Sequence, residues 1–280
     1  FLKKLLTSTL AISGLGGGTY YYAREIEPSL LKINRETITS SKIPSSFHQF
    51  SIVQFSDTHI GFHYTLDQFN QLVKTINNQK PDIVVFTGDL VDMPDTYNWD
   101  HHLIKSLSNI HAPYGKFWIY GNHDHGGYGT DIVKATMDKS GFRLLQNSHV
   151  SIKKESEFIT LAGLDDAMLG QPDVESAFTG VDFEQFVLLL VHEPDYADRI
   201  INYPIDVQLS GHSHGGQIQI PFFGYLYTPT YAQKYVEGKY TVGSNPLQLF
   251  VSKGIGTTRL PYRFLCKPEI TIFNLASSNR

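Results

Sequence analysis

The sequence of 280 residues has little cysteine and no surplus of positive charge. Its one cysteine, Cys266, excludes an internal disulfide framework and any zinc site that needs two thiolates from the same chain. The 23 Lys and Arg are outnumbered by 27 Asp and Glu, which gives a formal net charge of -4. Proteins that coat nucleic acid carry a basic excess, so we expect no specific nucleic-acid partner.

Long apolar runs are also scarce, and the one candidate lies at the start of the chain. Lys3 and Lys4 precede an uncharged stretch from Leu5 to Ala23, which Arg24 closes. A positive flank followed by such a stretch is typical of an export signal or a single membrane span. We therefore expect residues 1–23 to be a signal or membrane anchor segment, either cleaved or retained. The alternative is an ordinary amphipathic helix at the edge of the domain.

The rest of the chain has the pattern of an α/β protein. Residues 24–49 are polar, contain Pro28 and Pro44, and predict a linker with one outer strand around residues 33–39. From residue 50 onward, short runs rich in Val, Ile and Phe alternate with helical patterns. This order predicts parallel strands covered on both sides, with antiparallel or mixed edges formed by the later strands.

The predicted elements have the following ranges. Strands are expected at 51–55, 82–86, 117–120, 187–191 and 206–209, and helices at 66–78, 101–109, 131–139 and 194–201. Residues 142–163 and 217–274 predict further strands without helices.

Polar side chains directly follow five of these strands. Seven of them are Asp, Asn or His, namely Asp57, His59, Asp89, Asn122, His192, His212 and His214. The carboxyl ends of parallel strands share one edge of a sheet, so we expect these side chains to converge. Oxygen and imidazole ligands without thiolate favour Mn, Fe, Zn or Mg, and seven are too many for one ion. Two ions about 3.5 to 4 Å apart that share one carboxylate would use them all.

The seven residues fall into five motifs in a fixed order. They are Asp-x-His at 57–59, Gly-Asp-x-x-Asp at 88–92, Gly-Asn-His-Asp at 121–124, the lone His192 and Gly-His-x-His at 211–214. This series resembles the calcineurin-like metallophosphoesterase superfamily. The longer runs at 120–129 and 209–218 are similar to its membrane-associated or exported bacterial members. The resemblance implies an α/β metallophosphoesterase-type sandwich of two mixed β-sheets flanked by helices, over residues 50–276.

The resemblance also implies a role for each residue of the motifs. One metal ion is expected on Asp57, His59, Asp89 and His214, and the other on Asp89, Asn122, His192 and His212. We expect two divalent metal ions, with manganese before zinc or iron. His123 would be catalytic and would hydrogen-bond the phosphoryl oxygen or protonate the leaving group, with Asp124 as its orienting carboxylate. Asp92 stands where purple acid phosphatases carry a ligating Tyr, which disfavours coloured iron chemistry.

Two further residues are candidates for substrate contact. His125 directly follows the Gly-Asn-His-Asp motif, and Arg259 lies in the Gly- and Thr-containing stretch 254–261. A guanidinium group suits bidentate recognition of phosphate. The alternatives are a structural role for His125 and an ordinary salt bridge for Arg259. A single Asp or His after a strand is in the same way compatible with a helix cap or a turn.

The sequence thus predicts a metal-dependent phosphoric ester hydrolase. Two dications lower the pKa of a bound water toward neutrality and supply hydroxide, so that no protein nucleophile is needed. We expect it to hydrolyse a phosphomonoester, phosphodiester or pyrophosphate of a small-molecule, lipid-linked or wall-polymer substrate. The expected protein is a monomer at the cell membrane or exported to the cell envelope of a bacterium. The alternatives are a non-catalytic binding scaffold on the same fold and a single-metal hydrolase.

Overall fold

The computed structural model describes residues 16–126, 130–244 and 246–278. Most of the predicted signal or anchor segment, residues 1–15, lies outside this description. Residues 16–21 are helical and continue into the π-helix Tyr22–Ile26 and the 3-10 helix Glu27–Ser29. Among the described residues, no helix combines the length and apolar character that a membrane crossing requires.

Besides the helical residues 16–21, the described residues form fourteen strands and six α-helices. The strands are β1 (Lys32–Ser40), β2 (Ser51–Phe55), β3 (Ile83–Phe86), β4 (Lys116–Trp118), β5 (Phe142–Leu144), β6 (Ser148–Lys154), β7 (Glu157–Gly163), β8 (Val187–Leu190), β9 (Val207–Ser210), β10 (Gln219–Ile220), β11 (Gly224–Tyr225), β12 (Gly238–Val242), β13 (Leu247–Val251) and β14 (Glu269–Ser277). The helices are α1 (Leu66–Asn78), α2 (His101–Ser108), α3 (Asn122–His125), α4 (Thr130–Lys139), α5 (Val174–Phe178) and α6 (Ala197–Ile200).

Two six-stranded mixed sheets make up the body of the protein. The first has the order β1-β14-β2-β3-β4-β5, in which β14 and β2 are antiparallel and the other neighbours are parallel. The second has the order β12-β13-β9-β8-β7-β6, with a parallel centre and antiparallel pairs at both edges. The predicted fold of two mixed sheets is therefore confirmed.

The sheets stack face to face and are covered by helices on their outer faces. On β3, Ile83 and Val85 pack between the sheets, whereas Val84 and Phe86 pack against α1, α2 and α4. β8 repeats this alternation, since Leu188 faces the layer between the sheets and its neighbours face α5 and α6. Successive side chains of a strand point to opposite faces, so uninterrupted apolar strands are the expected result of burial on both sides.

Helix α1 shows how local sequence signals fix these outer layers. Its N-cap Thr65 accepts a hydrogen bond from the backbone of Gln68, and the Gln68 side chain accepts one from the backbone of Thr65. This reciprocal arrangement satisfies two backbone donors at the start of the helix. The buried residues Phe69, Leu72, Val73 and Ile76 recur at helical spacing and form the face that contacts the first sheet.

The predicted outer strand before residue 50 is part of the first sheet. β1 pairs in parallel with β14 along its whole length, from Lys32 opposite Glu269 to Ser40 opposite Ser277. Just before it, the buried carboxylate of Glu27 accepts hydrogen bonds from the backbone of Leu265 and Cys266. The short helix α5 is not among the predicted elements, since five residues show too little of a helical period.

Candidate metal centre

Six of the seven predicted ligands form two clusters at the carboxyl ends of the strands. Asp57, His59 and His214 make one cluster, and Asp89, His192 and His212 make the other. Within each cluster, one ligand atom from every residue lies within 4.8 Å of the others. The clusters adjoin, because Asp89 Oδ2 is 3.3 Å from His192 Nε2 and also 3.5 Å from His59 Nε2. Asp89 therefore lies between the two sets of ligands.

Several ligand atoms are buried without a hydrogen-bond partner, which supports a fit to metal ions. Asn122 Oδ1 and His192 Nε2 are two such atoms among the described residues. His59 Nε2 and His214 Nε2 face each other at 3.0 Å. Buried polar atoms are normally paired, and an orphaned acceptor next to carboxylates and imidazoles is the arrangement that a cation satisfies. The clustered donor set fits divalent metal ions.

Backbone and carboxylate acceptors fix which imidazole nitrogen of each histidine is free. His192 Nδ1 is 2.6 Å from the carbonyl oxygen of Thr87, and His212 Nε2 is 2.9 Å from that of Thr230. A carbonyl oxygen only accepts, so each of these nitrogens carries the proton and the opposite nitrogen keeps its lone pair. His59 is held in the same way, with Nδ1 at 3.0 Å from Asp92 Oδ1. Such partners orient metal-binding histidines.

The backbone at the clusters adopts conformations that most residues avoid. Five of the predicted ligands have positive φ, namely Asp57 at 53°, His59 at 42°, Asp89 at 64°, His212 at 67° and His214 at 52°. A non-glycine residue in this region costs on the order of 1 to 3 kcal/mol, and such residues gather at functional sites. The backbone conformation just after these strands therefore reflects the placement of the side chains and not maximal stability.

Gly121 leaves room for the two clusters to meet. A Cβ at this position would lie 2.3 Å from Asp89 Oδ1 and 2.7 Å from His192 Cε1. Both contacts are shorter than van der Waals separation, and the neighbouring atoms belong to the predicted ligands. Only glycine therefore fits at this position of the Gly-Asn-His-Asp motif without displacing Asp89 or His192.

The clustered charges perturb one another's pKa values. Burial alone would raise the Asp89 pKa, but His192 and His123 hold it well below its usual range. Burial and the neighbouring Asp89 charge raise the pKa of Asp57. Burial lowers the pKa of His212 to about 4, and the neighbouring His192 adds to this effect. Asp89 therefore favours the carboxylate form and His212 the neutral imidazole, which are the protonation states that bind metal.

His123 lies at the rim, whereas Asp124 is buried beneath it, and the two do not form the predicted pair. His123 Nδ1 is 2.6 Å from the backbone carbonyl of Asp92. The Asp124 carboxylate is fully buried and accepts hydrogen bonds from the backbone of Gly121, Asp89 and Leu90. The prediction that Asp124 orients the His123 ring is corrected: the peptide bend at the motif turns this carboxylate inward, where it fixes two strand exits to each other.

A cavity of about 340 Å³ opens over the clusters. Asp89, Asn122, His123, His212 and His214 line its floor. Its wall is largely apolar and is formed by Met168, Ile218, Leu226, Tyr227, Pro229 and Leu260. Ligand sites combine an apolar wall with a few convergent polar groups in this way.

The two predicted substrate contacts have different positions relative to this cavity. Arg259 lines it, and its guanidinium carbon lies 5.1 Å from the ring centroid of Tyr227. His125 lines a different depression and bonds Asp165 at 2.8 Å through Nε2. Arg259 is therefore brought to the candidate site, and His125 is not.

Comparisons with known proteins agree with this geometry. The family model for calcineurin-like phosphoesterases matches residues 50–216. An uncharacterized metallophosphoesterase of Bacillus subtilis (strain 168), YkuE, is 47% identical over 280 residues, which is 100% of this chain and 97% of that protein. The chain belongs to the calcineurin-like phosphoesterase family.

More distant relatives also match along most of their length. An uncharacterized metallophosphoesterase of Aquifex aeolicus (strain VF5) is 32% identical, over 89% of this chain and 94% of that protein. The UDP-2,3-diacylglucosamine pyrophosphatase LpxG of Chlamydia trachomatis is 29% identical, over 95% of each chain. The family and the clustered ligands together identify this phosphoesterase as a metal-dependent phosphoric ester hydrolase.

Sequence reasoning missed several residues of this phosphoesterase that hydrogen-bond the candidate site or the backbone near it. Thr258 donates to Asp92 Oδ1 at 2.9 Å, and Thr87 and Thr230 contribute only backbone carbonyls to the histidines. The guanidinium of Arg263 is buried and donates to the carbonyls of Gly256 and Lys253. Carbonyl acceptors are common to all residue types, so only the folded arrangement reveals these contacts. Thr258 acts through its side-chain hydroxyl, and its position directly before the candidate Arg259 is a weak signal in the sequence.

Proposed function

We propose that this phosphoesterase hydrolyses its substrate with two divalent metal ions that share Asp89. In this proposal Asp57, His59, Asp89 and His214 hold one ion, and Asp89, Asn122, His192 and His212 hold the other. The observation that carries the proposal is the position of Asp89, whose carboxylate lies within 3.5 Å of a histidine from each cluster. When bound, such a pair supplies Lewis acidity and an activated water for phosphoryl displacement. Manganese is the first candidate, with zinc and iron as alternatives.

His123 is the proposed proton donor of the reaction. Its Nδ1 proton bonds the Asp92 carbonyl, so its Nε2 is free of that contact. The ring lines the cavity beside Asp89 and is partly exposed. With Nε2 protonated as well, the imidazolium in this position can hydrogen-bond a phosphoryl oxygen through Nε2–H and give that proton to the departing oxygen. Asp124 has a positioning role, because its carboxylate accepts hydrogen bonds from the backbone N–H groups of Asp89 and Gly121. These bonds fix the segments after β3 and β4, which carry Asp89 and His123.

The proposed substrate is a phosphomonoester, phosphodiester or pyrophosphate of the cell envelope. The apolar cavity wall supports a substrate with an apolar portion, and the relative from Chlamydia is by name a pyrophosphatase of a diacylated sugar nucleotide. A lipid-linked substrate therefore ranks before a small phosphorylated molecule or a wall polymer. The proposed location is the cell membrane or the envelope of a bacterium, reached through residues 1–23, with the protein acting as a monomer.

Turnover of His123→Ala tests the enzymatic proposal. We expect a loss on the order of 10²- to 10⁴-fold on chromogenic phosphodiester and phosphomonoester substrates, because a positioned proton donor contributes about that much. Metal content should stay at the native level. His111→Ala is the matched control, since His111 is an exposed histidine on the connection after α2.

The outcomes separate this proposal from its rivals. Equal turnover in native protein, His111→Ala and His123→Ala would contradict the role of His123. Native protein without metal-dependent turnover on either substrate would favour a binding scaffold on the same fold. Loss of metal from His123→Ala would make His123 a ligand.

A further inference from the structure

An exposed apolar hairpin stands beside the cavity. β10 and β11 pair with Gln219 opposite Tyr225, and residues 221–223 form the turn between them. At the tip, Phe222 is 106% exposed and Phe223 is 88% exposed. Leu226 and Tyr227 follow the hairpin, are themselves mostly exposed, and line the cavity. An apolar surface is thus continuous from the metal centre to the tip.

Folding stability does not account for the tip. Phe222 has a φ of 71°, in the left-handed region that bulky side chains avoid. Phenylalanine is among the residues that folded proteins most often bury, and here the fold gains nothing from burying it. Large exposed apolar patches mark interaction sites.

The charge pattern identifies the kind of partner. No Asp, Glu, Lys or Arg occurs between His214 and Lys234. Charged groups lie at the margin of the surface: Arg259 stacks over Tyr227, and Arg24 lies 5.9 Å from the ring centroid of Tyr262. At the base of the hairpin, Glu237 accepts hydrogen bonds from Gln219 and Tyr225. An uncharged aromatic tip with arginine and tyrosine at its margin is the distribution found at the interface of a lipid bilayer.

The described part of the chain begins on the same side of the molecule. Tyr20 packs on Tyr262 with ring centroids 5.5 Å apart, and Arg263 donates its backbone N–H to the carbonyl of Ala23 at 2.8 Å. The next residue, Phe264, accepts a backbone hydrogen bond from Gln219 of the hairpin. Residues 16–23 and the hairpin therefore flank one strip of chain. In the sequence, residue 16 is preceded by an uncharged run that begins at Leu5.

We propose that the tip of this hairpin, Phe222 and Phe223, inserts into a lipid bilayer and sets the mouth of the cavity against the membrane surface. The uncharged tip and its position beside residues 16–23 favour lipid over a protein partner. The tip is a protruding turn, and a Cβ on Gly224 would meet no atom within 4 Å. The proposal goes beyond the proposed function, because insertion requires no turnover.

Tryptophan at the tip of the full-length protein tests this insertion. Phe223→Trp is mixed with vesicles of phosphatidylethanolamine and phosphatidylglycerol, part of which carry brominated acyl chains that quench tryptophan. The matched control is Phe158→Trp, at the start of β7, where another aromatic is 38% exposed at the opposite end of the strands from the metal centre. Native protein corrects for Trp99 and Trp118. Both variants are also made with Asp89→Asn, so that the result does not depend on catalysis.

We expect several-fold stronger quenching at position 223 than at position 158, together with a shift of emission to shorter wavelength. If residues 1–23 alone bring the chain to the vesicle, the brominated lipids have no reason to quench a tryptophan at the tip more strongly than one at position 158. Equal quenching at the two positions would overturn the proposal. A shift of the tryptophan emission at position 223 to shorter wavelength in the absence of vesicles would also overturn it. If that shift grows with protein concentration, a second copy of the chain covers the tip. If it does not depend on concentration, another segment of the same chain covers the tip. Unchanged thermal unfolding of both variants establishes that they are folded.

Discussion

The metal-binding rim and the hairpin beside it depart from the usual distribution of side chains in opposite directions. At the rim, the carboxylates of Asp57 and Asp89 are buried, whereas Phe222 and Phe223 of the hairpin are exposed. Folded proteins normally place phenylalanine inside and aspartate outside. Both regions also hold non-glycine residues at positive φ. Neither composition is explained by folding stability, so each is better explained by what it binds: cations at the rim and, in our proposal, lipid at the tip.

Alanine at one glycine of each region, Gly121 at the rim and Gly224 in the hairpin, gives the largest expected difference in turnover. Gly121→Ala places a methyl group against Asp89 and His192, which should cost at least about 10²-fold in turnover because misplacement of about 1 Å has that effect. Gly224→Ala meets no atom, and its φ of 83° costs about 1 to 2 kcal/mol of stability without touching the ligands. Turnover of a soluble chromogenic ester and thermal unfolding are measured for both.

The comparison would fail if the two glycine variants changed turnover equally. A Gly121→Ala variant with native turnover and native metal content would mean that the clusters have more room than the structure shows.

Removal of the two tip phenylalanines should have the smallest effect on stability. For Phe222→Ser combined with Phe223→Ser, we expect the free energy of unfolding to change by less than about 0.5 kcal/mol, as for other surface substitutions. Phe55→Ala in the buried core is the contrasting variant, with an expected loss of about 3 to 5 kcal/mol. Denaturant unfolding measures both. A comparable loss in the tip variant would show that these side chains are packed against protein in solution.

The sequence predicts the placement of the ligands well, because their positions follow from topology. Asp57 and Asp89 come just after β2 and β3, two parallel neighbours, and parallel strands bring their carboxyl ends to one edge. His192 and His212 follow β8 and β9 of the other sheet. These two histidines lie near Asp57 and Asp89 because the two sheets stack face to face. Strand patterns predict parallel strands with antiparallel or mixed edges, and the resemblance in motif order implies the sandwich of two sheets.

The details that the sequence does not predict depend on backbone direction. The positive φ of His59 and Asp89 and the inward turn of Asp124 are set by hydrogen bonds between strand exits that lie far apart in the chain. The pairing of His123 with the Asp92 carbonyl is of the same kind, since any residue supplies a carbonyl. Adjacency in the sequence favours Asp124 as the partner of His123, but successive residues of a short helix point in different directions.

The number of metal ions per chain tests the central claim most directly. Native protein and Asp89→Asn are loaded with manganese, freed of excess metal, and analysed by mass spectrometry for metal per folded chain. The account predicts two ions in the native protein and at most one in Asp89→Asn, because the carboxylate between the clusters is lost. Two ions retained in Asp89→Asn, or a single ion in the native protein, would contradict it.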